Sequence, residues 1–175
     1  MIKAEENDID DVYNIFVECT HWLNNKGIKQ WRKVYPKNRL INDIRIGVVY
    51  KFMKIKNIIG TVTLYKSQPE YYPDNIYKHQ DNVLYLCRFA ISRNSIYREL
   101  GASCMALIER YALSKEVDYL RLDVTKLNPF LENYYRKLSF SSVGEAEIFS
   151  ECMLFMEKTI LTHNFTRPPT STGEF

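Results

Sequence analysis

The sequence predicts one α/β domain built on a mixed sheet with helices on both faces, and three observations carry that prediction. The first is size and composition: 175 residues, 46% hydrophobic and 26% charged, suffice to bury a full core and are too apolar for a disordered chain. The second is the order of elements, which the hydrophobic periodicities give as βααβββαβαββ. The third is that strands and helices alternate only in the second half, which disfavours a doubly wound parallel sheet.

Ile2 to Glu5 reads as a short first strand. Asp8 suits a helix cap, and Ile9, Val12, Ile15, Phe16 and Cys19 behind it recur at helical spacing. The pattern breaks at Asn24, Asn25 and Gly27, and a loop carrying Ile28, Gln30, Trp31 and Tyr35 leads to a second helix from Pro36 to Arg45. Gly47 to Lys56 and Ile58 to Tyr65 are β-rich runs separated by a single Asn, an antiparallel hairpin with its tight turn near Asn57. Gln68 to Asp81 is a loop with two prolines and three tyrosines. Val83 to Ser92 returns to strand character. From Arg98 a helical stripe of Leu100, Cys104, Leu107, Ile108 and Tyr111 runs to about Ser114. Tyr119 to Val124 alternates as a strand, and Asn128-Pro129 starts a short helix to Leu138, because Asn caps and Pro suits the first turn. Phe140 to Glu145 and Cys152 to Glu157 fit two last strands around a turn at Gly144. The polar tail from Leu161 to Phe175 reads as an appendage, leaving a domain over residues 1–160.

Charge and cysteine usage narrow the function classes. A net charge of +3 with no dense Lys/Arg block gives no reason to expect nucleic acid or a membrane surface as partner. Cys19, Cys87, Cys104 and Cys152 lie far apart without a CxxC pair, and His21, His79 and His163 are equally scattered, so neither a metal site nor a disulfide scaffold is expected. Met1 to Asp11 is acidic and lacks the apolar core of a signal peptide, which makes a cytoplasmic protein the expectation.

The most informative stretches are LYLCRFAISRNSIYRELGASCMALIERYA, Leu84 to Ala112, and LRLDVTKLNPFLENYYRKLSF, Leu120 to Phe140. Together they resemble the GNAT family of N-acetyltransferases over roughly Ile2 to Lys158. The matching features are a strand, a glycine-bearing turn and a helix, then a strand, an Asn-led helix and a tyrosine-lysine-leucine-glycine-phenylalanine run. That run stands here as Tyr135-Arg136-Lys137-Leu138-Ser139-Phe140. WLNNKGIKQW, Trp22 to Trp31, also resembles a Trp-rich loop of some members. The resemblance implies a mostly antiparallel sheet of six or seven strands. It also implies that Val83–Ser92 and Tyr119–Val124 lie parallel and splay apart at one end.

It implies in turn an acetyl-CoA-dependent transfer to a primary amine of a small molecule or peptide. Assembly into a homodimer is left open. The coenzyme's pyrophosphate would meet backbone N–H groups at the positive end of a helix between Tyr97 and Ser103. In a gapped reading of Arg98 to Ser103, Arg98 and Gly101 match the family pattern, Ala102 follows, and Ser103 stands where its last glycine or alanine would be; the ungapped reading, which keeps strand and helix in register, is preferred. In the ungapped reading Glu99 stands where a glycine usually faces phosphate, a repulsion on the order of 3 kcal/mol. That departure motivates the alternative of a coenzyme-binding module with little or no turnover. The backbone of Phe89, Ala90 and Ile91 matches the strand that pairs with the pantetheine arm, and Asn128 matches an arm-contacting residue or is simply the helix cap. Tyr135, seven residues after Asn128, matches the general acid that protonates the departing thiolate, with Tyr134 as its fallback. Phe130, Leu131, Tyr134 and Leu138 make an apolar helical face, which leaves Tyr135 to turn toward the cleft. Trp22, Gln30, Trp31 and Tyr35 are candidates for the acceptor wall, with Tyr71-Tyr72-Pro73 as a lid, although both tryptophans could equally anchor the helix junction in the core. Glu18, His21 and Asp123 are candidates for a general base.

Overall fold

The computed structural model describes residues 1–78, 82–93 and 100–160. Its elements are β1 (Ile2–Lys3), α1 (Ile9–Asn25), α2 (Lys37–Arg45), β2 (Val49–Lys54), β3 (Asn57–Tyr65), β4 (Val83–Ile91), α3 (Leu100–Ser114), β5 (Tyr119–Thr125), α4 (Pro129–Lys137), β6 (Ser141–Ile148) and β7 (Glu151–Thr159). One seven-stranded sheet runs in the order β1-β2-β3-β4-β5-β7-β6. Only the β4–β5 pair is parallel; the other neighbours are antiparallel, as the resemblance implies. The tail from Leu161 lies outside the described residues.

Strand alternation divides the core between two faces. On one face Leu84, Leu86, Leu120 and Leu122 pack against Cys104, Met105 and Ile108 of α3 and Tyr135 of α4. On the other, Val12, Ile15, Phe16 and Cys19 of α1 and Leu40 and Ile44 of α2 close over Val49 and Ala90. The part of that second face which α1 and α2 leave open is filled by the tyrosine-rich loop, whose Tyr72 and Tyr77 sit with Tyr85 and Phe155. The lid expected from Tyr71-Tyr72-Pro73 is therefore in large part core: Tyr72 is 3% exposed.

Two features open the sheet in its middle. The parallel ladder between β4 and β5 has three positions, Val83–Tyr119, Leu84–Leu120 and Tyr85–Arg121, and then stops. Past it, β4 carries a bulge: Thr61 pairs with Ala90 but Thr63 with Cys87, so β4 holds one residue more than β3. The extra residue falls at Arg88, whose φ of 51° is unusual for a non-glycine and turns the strand away from β5.

Local chemistry fixes α4, which borders this opening. Asn128 caps it by accepting from the Phe130 N–H, and Pro129 occupies the first turn. Its far end is closed by the Phe140 N–H donating to the Tyr135 carbonyl and the Ser139 N–H to that of Arg136, both at 3.0 Å, the bonding of a Schellman cap. Such a cap needs a left-handed residue, and Ser139 takes it at φ 66° while exposed to solvent. Ser139→Gly therefore raises stability by about 1 kcal/mol, read as a higher urea midpoint at unchanged slope.

Three local readings are corrected. The turn of the last hairpin is Phe149-Ser150, both at positive φ, whereas Gly144 lies inside β6 at a register shift. A glycine in a strand marks a bulge as readily as a turn. The first hairpin does turn beside Asn57, but its strands are Val49–Lys54 and Asn57–Tyr65, so Ile55-Lys56 form the turn and Asn57 already pairs with Lys54. Asp8 stands at the cap position of α1 but turns its carboxylate back to the Glu5 N–H and to Lys51.

Candidate active site

Where β4 and β5 part, a cleft of about 800 Å³ opens. Its walls are the end of α1 and the following loop, the last residues of β4, the start of α3 and the inner side of α4. One wall is a strand edge: beyond Tyr85 the side of β4 that faces β5 has no ladder partner among the described residues. Backbone amides and carbonyls in such a place require partners. Cys19 supplies one, its thiol donating to the Ile91 carbonyl at 3.2 Å.

Most of the residues singled out in the sequence come together here. Phe89, Ala90 and Ile91 line the strand side, Gly101 and Ala102 the start of α3, and Asn128 and Tyr135 the α4 side. Trp22, Gln30 and Trp31 line the opposite wall. Trp31 also packs edge-on against Phe16, with ring centroids 5.8 Å apart, so it serves wall and core together. Asn128 is 5% exposed and uses both ends of its amide, Oδ1 as the cap and Nδ2 donating to Gln30 Oε1 at 2.8 Å. That bond carries the α1–α2 loop across the cleft to α4, and Arg32 beside Gln30 pairs with Glu151 of β7 at 2.9 Å.

Two named residues stand elsewhere. Tyr35 does not reach the cleft; its hydroxyl donates to Asp43 at 2.8 Å and its ring lies 4.3 Å from the Arg88 guanidinium, beneath α2. Ser103 is exposed on α3 and lies outside the cleft walls, to which that helix gives Gly101 and Ala102. Arg98 and Glu99 lie outside the described residues. The sequence reading missed Lys26 and Arg93, which bring positive charge to the cleft; Arg93 stacks on Trp22 at 4.3 Å. Neither sits in a basic run, so only the fold could bring them together.

The two adjacent tyrosines are the reverse of the helical-face expectation. Tyr135 is the buried one, 7% exposed, edge-on to Phe140 at 5.5 Å, while Phe130 of the supposed apolar face is 72% exposed. Leu131, Tyr134 and Leu138 of that face do pack against the core as partly buried side chains, but Tyr135 lies deeper than any of them and Phe130 turns out to solvent. Both tyrosines nevertheless line the cleft, at different depths. Tyr134 points to the start of α3: a Cβ on Gly101 would stand 2.6 Å from its hydroxyl. That hydroxyl is buried without a hydrogen-bond partner among the described residues, and burial, with the nearby Cys104, pushes it up to about 12. Tyr135 sits at the floor, where the strands part. Burial holds its phenol far above the ordinary range, and the charges of Tyr134, Asp123 and Cys87 push the same way.

A mixed, mostly antiparallel sheet with helices on both faces, split around a cleft, is the acetyltransferase architecture. The chain belongs to the acetyltransferase (GNAT) family, whose model matches residues 9–140. Among solved structures, a GNAT-family acetyltransferase from Listeria monocytogenes superposes with a TM-score of 0.77 at 20% identity, covering 90% of this chain and 92% of that one. One from Streptococcus agalactiae gives 0.75 at 22%, over 89% and 92%. The PaiA N-acetyltransferase of Thermoplasma acidophilum, solved with coenzyme A, gives 0.64 at 19%, over 90% and 96%. At these identities the likeness speaks for the fold. No curated protein matches the chain. Among the described residues no helix is long and apolar enough to cross a membrane.

Proposed function

We propose that the protein moves an acetyl group from acetyl-CoA to a primary amine of a small molecule or peptide, by direct transfer with Tyr135 as general acid. The observation that carries this is the unpaired edge of β4 along the cleft: an extended arm bearing amides fits there as a strand would. Two further features suit the coenzyme. The Tyr134 hydroxyl is an unsatisfied donor facing the same space, and Gly101 leaves room that a side chain would close. The family membership and the coenzyme A seen in the Thermoplasma acidophilum relative support the same donor.

When bound, acetyl-CoA supplies a thioester carbonyl that an amine can attack. Phe89, Ala90 and Ile91 would orient it through their backbone, and the N–H groups on that edge would stabilise negative charge on its oxygen. The walls of Trp31, Phe89 and Leu131 exclude water that would otherwise take the acetyl group. As the C–N bond forms and the C–S bond breaks, Tyr135 gives its phenolic proton to the sulfur and regains one from the acylated nitrogen. A raised phenol suits the role, since the donor stays protonated until a base as strong as a desolvated thiolate appears beside it.

The test is calorimetric titration with acetyl-CoA, followed by thiol release in the presence of a panel of primary amines. The expected result is one-to-one binding and amine-dependent release. No binding overturns the proposal; binding without release for any amine leaves the coenzyme-binding module as the better reading.

A further inference from the structure

The bonds around Gln30 fix which way its amide points. Asn128 caps α4 with Oδ1, which accepts from the Phe130 N–H, so the group that Asn128 turns to Gln30 is its NH2. Gln30 meets it with Oε1, at 2.8 Å, and the NH2 of Gln30 is left over. That nitrogen, Nε2, donates to nothing among the described residues, and Gln30 is a half-buried residue in the cleft wall.

Charge points the same way. Lys26 and Arg93 are the charged side chains among the described walls, and no carboxylate stands with them. Glu18 accepts from the Ser92 hydroxyl at 3.0 Å, and Asp123 accepts from Tyr71 and Tyr72; neither lines the cleft. Arg93 is stacked on Trp22, whereas the Lys26 ammonium, exposed after the last turn of α1, has no ion pair among the described residues. The coenzyme's pyrophosphate is expected at the start of α3. Lys26 and Gln30 come instead from the end of α1 and the loop after it.

A cleft with a spare amide donor, two cations and no anion among its described walls suits a negatively charged oxygen and disfavours a second ammonium. Resting on the transfer reading above, we propose that Gln30 and Lys26 form the acceptor's specificity site, and that the acceptor is an amine that also carries a carboxylate. The carboxylate accepts from Gln30 Nε2 and pairs with Lys26, while the amine end reaches the thioester. Asn128 is the positioning residue: by holding Oε1 it keeps the donor end of Gln30 turned to the cleft.

The test measures thiol release from acetyl-CoA with glycine, β-alanine and γ-aminobutyrate, each beside the amine that lacks its carboxylate, namely methylamine, ethylamine and propylamine, and with diaminobutane. The kcat/KM of the best amino acid should exceed that of its partner amine and of the diamine by about tenfold or more. Gln30→Glu keeps an oxygen for Asn128 but turns an oxygen to the cleft in place of the NH2. This preference should then fall by about tenfold or more, while acetyl-CoA affinity and the urea midpoint stay as they are. Lys26→Gln, at an exposed position, should lower the preference about threefold. Equal or better use of the plain amines or the diamine, use of other primary amines with none of the three amino acids, or a preference that neither substitution moves overturns the site while the transfer reading stands. So does a loss of acetyl-CoA affinity in Lys26→Gln with the preference intact, which would assign that cation to the coenzyme's phosphates. Absence of thiol release with every amine overturns the transfer reading and this site together.

Discussion

Tyr135→Phe is expected to lower turnover by about 10²–10⁴ while leaving acetyl-CoA affinity and folding nearly intact. The size follows from the step removed: without a proton donor the thiolate must leave as an anion in a cleft walled largely by apolar side chains. The selectivity follows from the packing. The ring of Tyr135 stacks edge-on against Tyr134 and Phe140, contacts that phenylalanine preserves. Tyr134→Phe is the control, because the Tyr134 hydroxyl lies against Gly101 at the start of α3. Initial rates at saturating acetyl-CoA decide the matter; unchanged turnover in Tyr135→Phe would remove it from the chemistry, and a large loss in Tyr134→Phe would move the role to its neighbour.

The largest stability effect is expected at Asp43, where alanine should cost about 3–5 kcal/mol. Asp43 is 7% exposed and accepts from Tyr35 at 2.8 Å, Tyr65 at 3.1 Å and Arg88 at 3.2 Å. Alanine leaves the Arg88 guanidinium without its carboxylate in a largely buried place, and the Tyr35 and Tyr65 hydroxyls without their acceptor. Arg88 is also the residue held at positive φ, so the same network fixes the bulge from which Phe89 and Ala90 enter the cleft. Urea unfolding measures the loss, and Asp43→Ala combined with Arg88→Met should recover part of it, because the stranded charge is then gone.

What the sequence made legible was local. Asn128-Pro129 specified a helix start through its own side chain and ring, and α4 begins there. The succession of elements along the chain followed from periodicity, and the parallel β4–β5 pair from the strand-helix-strand order with the resemblance, whereas the place of β7 between β5 and β6 was not read. The bulge at Arg88 had no signal, because its conformation is imposed by Asp43, Tyr35 and Tyr65, which lie far away in the chain. The Phe149-Ser150 turn was hidden for a related reason: neither residue type favours positive φ, so the glycine nearby attracted the assignment. The facing of α4 was legible in part: Leu131, Tyr134 and Leu138 pack against the core and Tyr135 lines the cleft, but a count of apolar positions could not show that Tyr135 is the deeper of the two tyrosines or that Phe130 faces solvent. Asp123 was noted only as one base among three, for its setting depends on a loop 51 residues away.

The short ladder between β4 and β5 divides the molecule along its chain. Residues 2–91 supply one half of the sheet and residues 119–159 the other, each continuous in sequence, and three paired positions join them where β5 and β7 share seven. A seam of this kind is where a native protein parts most readily without unfolding, so amide protons along the free stretch of β4 should exchange before those of β5. Anything lying lengthwise in the seam then acts as a splint, and its concentration sets how far the two halves move as one cooperative unit.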